Sequence, residues 1–244
     1  NPTPTVAAVG NQSLCAGATT AAVNFTGTVA GTTFNWTNSA PAIGLAAAGT
    51  GNISAFTATN STGAPIVATI TVTPSANGCP GLPVTFTITV APNPTVNTVA
   101  NQTVCNGAST AAVNFTGAVT GTTYTWTNSN PAIGLAASGT GNIPSFTATN
   151  AGLAPISATI TVTTSASGCP GTSTSFTITV NPTPTVNAVT GQTLCAGSTV
   201  TAINFSGNAV AGVTYNWVNN TPAIGLVASG TGNIAAFTAT NTTP

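Results

Sequence analysis

One phrase, spoken nearly three times, constrains this chain more than any other feature. Cys15, Cys105 and Cys195 stand 90 residues apart, and the same interval separates Val6, Val96 and Val186, and Phe25, Phe115 and Phe205. Cys79 and Cys169 repeat at that interval as well. Trp36 and Trp126 keep it, whereas Trp217 falls one residue late, because NFSGNAVAGVTYNW stands where the second copy reads NFTGAVTGTTYTW. The extra residue falls in a turn. Solenoid units run to roughly 20–45 residues and bury their apolar faces on neighbours. A unit twice that length can close its own core, so the pattern predicts a string of beads.

The joints between beads are the proline-rich stretches Asn1-Pro2-Thr3-Pro4, Ala91-Pro92-Asn93-Pro94 and Asn181-Pro182-Thr183-Pro184. Alternating proline fixes φ and favours extended geometry, which makes a short, stiff connection. The expected domains are residues 1–90, 91–180 and 181–244. The third stops at Pro244, before its last two strands and second cysteine. The reading expects that copy to be completed by residues beyond Pro244 or by an equivalent segment from a neighbouring molecule, with a continuous tandem preferred. The absence of a leader at Asn1 is read as a sign that a leader and upstream repeats lie outside this window.

Within a copy the apolar residues alternate. Ile156, Ala158, Ile160 and Val162 share one face against Ser157, Thr159, Thr161 and Thr163, and Phe86, Ile88 and Val90 face away from Thr85, Thr87 and Thr89. That is the period of a half-buried strand, and no segment shows a helical period. Turn signals such as NGCPG at 77–81 separate the strands. About seven short strands per copy predict an all-β chain of antiparallel β-sandwiches. Trp36, Trp126 and Trp217 each share a strand face with a second aromatic and are assigned to the cores, with a carbohydrate-stacking role as the alternative.

The 244 residues include no Lys, Arg, Asp, Glu or His. General acid–base catalysis and activated nucleophiles need a base that this chain lacks. Hard cations want clustered carboxylates, and zinc wants His or closely spaced Cys, so neither metal nor cofactor is expected. Without cations there is no phosphate-neutralising contribution to nucleic-acid binding. No apolar run approaches a membrane span. The remaining classes are structure and recognition through neutral groups.

Two cysteines per copy, separated by 64 residues in both complete copies and without His or CxxC, read as one disulfide inside each: Cys15 to Cys79 and Cys105 to Cys169. A loop of that size contributes about 4 kcal/mol in the chain-entropy description. Cys195 is left over, its partner lying beyond Pro244. Disulfides imply an oxidising compartment.

The phrases NQTVCNGASTAAVNFTGAVTGTTYTWTNSNPAIGLAASGTGNIPSFTATN and APISATITVTTSASGCPGTSTSFTITVNPTP resemble the PKD-like repeat of very long secreted proteins of Bacteroidetes bacteria, and the likeness covers the whole chain. It implies tandem immunoglobulin-like sandwiches, an extracellular, cell-surface location often reached by the type IX secretion route, and a part in adhesion, gliding or surface filaments. It brings no catalytic residue. Related repeats commonly carry a few charges, and their lack here removes the ligands for a calcium role.

Fainter signals are read blandly. The Asn-x-Ser/Thr triplets at Asn11, Asn24, Asn60, Asn101, Asn114 and Asn204 follow from abundant Asn and Thr. The GTGN runs at 49–52, 139–142 and 230–233 are turns, since no Lys accompanies them. More informative are the threonine rows. Thr69, Thr71 and Thr73 would lie beside Thr85, Thr87 and Thr89 if their strands pair, giving a flat hydroxyl-bearing face that no charge protects from association. The expected role is a non-enzymatic structural repeat that self-associates into a fibre or adhesive stalk. The alternative is a neutral-ligand module, binding surface glycans through exposed aromatics or ice through the threonine rows.

Overall fold

A computed structural model describes residues 2–241. Asn1, which opens the first predicted joint, and residues 242–244, which close the third predicted copy, lie outside the described residues. The first copy contributes β1 (Gln12–Cys15), β2 (Thr33–Asn38), β3 (Ala48–Thr50), β4 (Ile66–Ala76), β5 (Cys79–Pro80) and β6 (Val84–Ala91). The second repeats them as β7 (Gln102–Cys105), β8 (Thr123–Asn128), β9 (Ser138–Thr140), β10 (Ile156–Ala166), β11 (Cys169–Pro170) and β12 (Thr174–Asn181). Each set forms one sheet, ordered β1-β6-β4-β2-β3 and β7-β12-β10-β8-β9, with β5 and β11 hairpinned onto β4 and β10.

The alternation read from sequence is what builds these sheets. Ala68, Ile70 and Val72 of β4 and Phe86, Ile88 and Val90 of β6 are all buried, and the residues between them point outward. Burying such side chains stabilises each bead by about 1.5–3 kcal/mol apiece. The sheets are mixed, where the sequence predicted wholly antiparallel ones. β1 runs parallel to β6, matching Gln12 to Ile88 and Cys15 to Ala91, and β7 runs parallel to β12. Their neighbours are antiparallel.

Across the core lies a second layer with almost no regular ladder. It consists of extended segments joined by single bridges, Val23 to Ile53 and Thr19 to Thr57, repeated as Val113 to Ile143 and Ser109 to Thr147. Side chains supply the remaining hydrogen bonds: Asn52 Oδ1 accepts from the Phe25 amide at 2.9 Å, and Asn142 Oδ1 from the Phe115 amide at 2.9 Å. Val23, Phe25 and Ile53 from this layer meet Ile70, Val72, Phe86 and Ile88 in one core, and the second copy repeats that core independently.

Trp36 and Trp126 are buried, each 7% exposed. Each indole lies across a glycine of the neighbouring strand: Trp36 pairs with Gly49 and Trp126 with Gly139. A Cβ at Gly49 or Gly139 would stand 2.2 Å from the indole Cζ2. The GTGN runs are therefore strand ends as well as turns, with the first glycine making room for tryptophan.

The third copy shows β13 (Thr199–Val200), β14 (Asn216–Val218), β15 (Ser229–Thr231) and β16 (Phe237–Thr238), in two separate two-stranded pairs. Counterparts of β4, β5 and β6 are not among the described residues. Ile224 is consequently 41% exposed, whereas its equivalents Ile43 and Ile133 are fully buried. For the same reason Trp217 is only half-buried, short of the core position predicted for it, although it still lies over Gly230.

Candidate functional site

Two places combine unusual chemistry with position: the joint between the first two copies and the outer sheet face. At the joint the structure overturns the predicted disulfides. Cys15 is bonded to Cys169, with Cα atoms 5.6 Å apart and a sequence separation of 154, while Cys79, Cys105 and Cys195 are free and exposed. The bridge crosses between copies.

The reason lies in the strand order. Cys15 ends β1 beside Ala91, at the C-terminal end of β6. Cys79 follows the hairpin after β4, beyond the N-terminal end of β6. The eleven residues of β4, paired with Cys79 at one end and reaching the level of Cys15 at the other, set these two cysteines at opposite poles, about 35 Å apart at the usual rise per residue. A disulfide needs Cα atoms within about 7 Å. Cys105 and Cys169 occupy the same two poles of the second copy and are likewise out of reach of each other. Each bead thus carries one cysteine at its tail (Cys15, Cys105) and one at its head (Cys79, Cys169).

Local chemistry holds both partners. The tail loop is pinned by the Ala16 amide donating to Ala91 O at 2.9 Å and by Asn93 Nδ2 donating to Ala16 O at 2.9 Å. The head hairpin turns at Ser167 and Gly168, with φ of 52° and 79°, the left-handed pair that a two-residue hairpin needs. Beyond it Gly171 passes so close to the linker that a Cβ there would stand 2.0 Å from Pro94 O. Thr164 Oγ1 and the Thr172 amide both donate to that carbonyl, at 3.2 and 3.3 Å. A further contact ties the beads directly, the Thr120 amide donating to Gly63 O at 3.3 Å.

The second surface is the outer face of the sheet. Thr69 pairs with Thr87 and Thr71 with Thr85, as the threonine rows require, and Thr71 continues to Thr37. Thr73 stands beside Asn35, and Thr89 lies between Val67 and Ser13. In the second copy, where Thr125 and Ser157 replace Asn35 and Val67, hydroxyls of this face bond one another, Thr125 to Thr163 at 2.6 Å and Ser157 to Thr179 at 2.7 Å. The face carries no charge, and in the second copy some of its hydroxyls are satisfied by one another.

Sequence reasoning missed two further residue types. Asn38 and Asn128 are buried, and each clamps the turn that follows: Asn128 Nδ2 donates to Leu135 O at 2.9 Å and Ala136 O at 3.2 Å, and its Oδ1 accepts from the Asn130 amide at 3.0 Å. Their recurrence at the repeat interval was the available signal. The Trp–Gly pairing, thirteen residues apart in all three copies, was equally visible and went unread.

A family described as the PKD-like domain matches residues 12–94 and 102–184. No curated protein matches. Solved structures of similar fold include mouse cadherin-23 EC22-24, at 10% identity, covering 99% of this chain and 89% of that one, with a TM-score of 0.47. DIP-gamma IG1+IG2 is similar at 12% identity over 74% of this chain and 98% of its own, with a TM-score of 0.45. Sidekick-1 immunoglobulin domains 1-5 align at 15% identity over 98% of this chain and 56% of that chain, with a TM-score of 0.42. Among the described residues no helix is long and apolar enough to cross a membrane.

Proposed function

Because the chain belongs to the PKD-like domain family, we propose that it is a non-catalytic structural repeat of an extracellular bacterial filament or adhesive stalk, of the kind found in Bacteroidetes. The observation that carries this reading is the joint. A flexible tether would suffice to display independent binding modules, yet here a disulfide, a linker side chain donating to Ala16 O and a direct amide bond fasten one bead to the next. Such fastening serves a rod. The bridge also favours an oxidising compartment.

Lateral association through the threonine face extends the same reading. Thr69, Thr71, Thr73, Thr85, Thr87 and Thr89 offer β-branched contact area and hydroxyls, with no charge to repel a second copy. A glycan adhesin relying on exposed aromatics is less favoured, because Trp36 and Trp126 are buried in their cores.

The test is imaging of native material by negative stain at pH 3, at pH 7 and in molar salt. Stability changes with pH only where folded and unfolded states bind different numbers of protons. No side chain here carries a carboxylate, imidazole, ammonium or guanidinium group, so filaments of beaded rods should persist under all three conditions. Reversible dissociation between pH 3 and 7, or on adding a chelator, would show that a charged partner or a metal holds them together.

A further inference from the structure

We propose that Cys15–Cys169 is one rung of a ladder of inter-repeat staples, and that Cys79 and Cys105 are the half-sites of the two adjoining rungs. Cys105 would bond the head cysteine of a complete third repeat, and Cys79 the tail cysteine of a preceding one. The partner in each case is another PKD-like repeat. This goes beyond the filament reading and stands or falls separately from it.

The argument is equivalence of position. Cys105 ends β7 opposite Asn181 as Cys15 ends β1 opposite Ala91. The loop after it is held to the next linker in the same way, with the Asn106 amide donating to Asn181 O at 2.8 Å and Thr183 Oγ1 donating to Asn106 O at 3.2 Å. At the other pole, Cys79 follows a hairpin with the same left-handed pair, Asn77 and Gly78, as the one before Cys169. Gly81 meets Pro4 O as closely as Gly171 meets Pro94 O. Both half-sites therefore share the strand position and the turn of the bonded one and are exposed and unbonded, although at the Cys79 head Pro74 stands where Thr164 donates to the linker carbonyl. Closing a rung is thiol–disulfide exchange: two cysteine thiols give one S–S bond, and an organic disulfide takes up the two electrons and two protons as two small thiols.

The ladder has a mechanical consequence. A staple from tail to next head carries tension past the chain between its two cysteines. With every joint stapled, a pull along the chain runs from one rung to the next through the short stretch between a head cysteine and the following tail cysteine, such as Cys79 to Cys105. That stretch includes β6 and β7, so the two strands that pair in parallel in each sheet stay on the load path, and the rungs shield the strands between them in sequence.

The experiment extends the full chain after Pro244 with a second copy of its own residues 154–180, which supplies the third repeat with the missing strands and a head cysteine. After folding in a glutathione redox buffer, free thiols are alkylated and mapped. The ladder predicts that Cys105, alkylated in the original chain, becomes protected, while Cys79 and Cys195 remain reactive. Protection of Cys195 in place of Cys105 would mean closure within a repeat and overturn the proposal. A second chain, in which residues 1–180 are followed by themselves, recreates the Val180-Asn181-Pro182-Thr183-Pro184 joint and joins only repeats with closed cores. It should retain two free thiols. Four free thiols, or none, would overturn the proposal whatever the extended chain does.

Discussion

Replacing Gly139 with alanine should loosen the second bead and leave the first untouched. A Cβ at this position would lie 2.2 Å from Trp126 Cζ2, 2.7 Å from Cε2 and 2.9 Å from Cη2. Ordinary carbon contacts begin near 3.5 Å, so the ring must retreat by more than an ångström. The indole is a rigid plane, only 7% exposed and packed in the core, and cannot swing aside as a long flexible side chain would. Overpacking of this kind costs about 1–3 kcal/mol. Hydrogen exchange read by mass spectrometry separates the beads. Protection in β10 and β12 should fall by about 5- to 140-fold, at 1.4 kcal/mol per decade, with β4 and β6 as the unchanged internal standard. Trp126→Phe removes the atoms that collide, so Gly139→Ala made in that background should cost less than about 0.5 kcal/mol, a coupling of at least about 0.5 kcal/mol. Equal penalties in the two backgrounds, or none in either, would refute the claim that the glycine exists to seat the tryptophan.

Asn128→Ala removes three hydrogen bonds from a buried turn and orphans its carbonyls, so the second repeat should lose about 2–3 kcal/mol in urea unfolding, against a near-neutral effect for the exposed Asn187. Cys169→Ser should leave both beads folded, since each has its own closed core, while small-angle scattering shows their relative orientation freed. Unfolding of the pair should become easier by up to about 5 kcal/mol, the chain-entropy value for a loop closed over the observed separation of 154.

How much of this was legible in the sequence follows from what repeats and what does not. The alternation at Ile156–Val162 and Phe86–Val90 specified strands and their buried faces, because a period of two leaves each side chain one choice of side. The two threonine rows followed from the same fact, but their register, Thr69 to Thr87 and Thr71 to Thr85, did not. The parallel pairing of β1 with β6 did not, since a short strand such as Gln12–Cys15 alternates equally well in either direction. The second layer was invisible as strands because it uses single bridges and Asn and Thr side chains in place of ladders. The cysteine connectivity failed for a reason peculiar to tandem repeats. Head and tail cysteines recur in both complete copies, so pairing within a copy and pairing with the next differ only by one repeat length, and spacing cannot choose between them. Only the strand order, which puts the two cysteines of a bead at opposite ends of β6, decides.

Single-molecule extension of the full chain, held at its two ends, tests most directly whether the staple carries load past the chain between its two cysteines. Oxidised, the stretch between Cys15 and Cys169 should give no unfolding steps, because the bridge takes the tension and the chain between the two cysteines cannot lengthen, although β1 and β12 lie outside the closed loop. Reduction should release that stretch, adding steps that total about 550 Å of contour, less the folded length, at roughly 3.6 Å per residue. The same steps appearing without reductant would contradict the account.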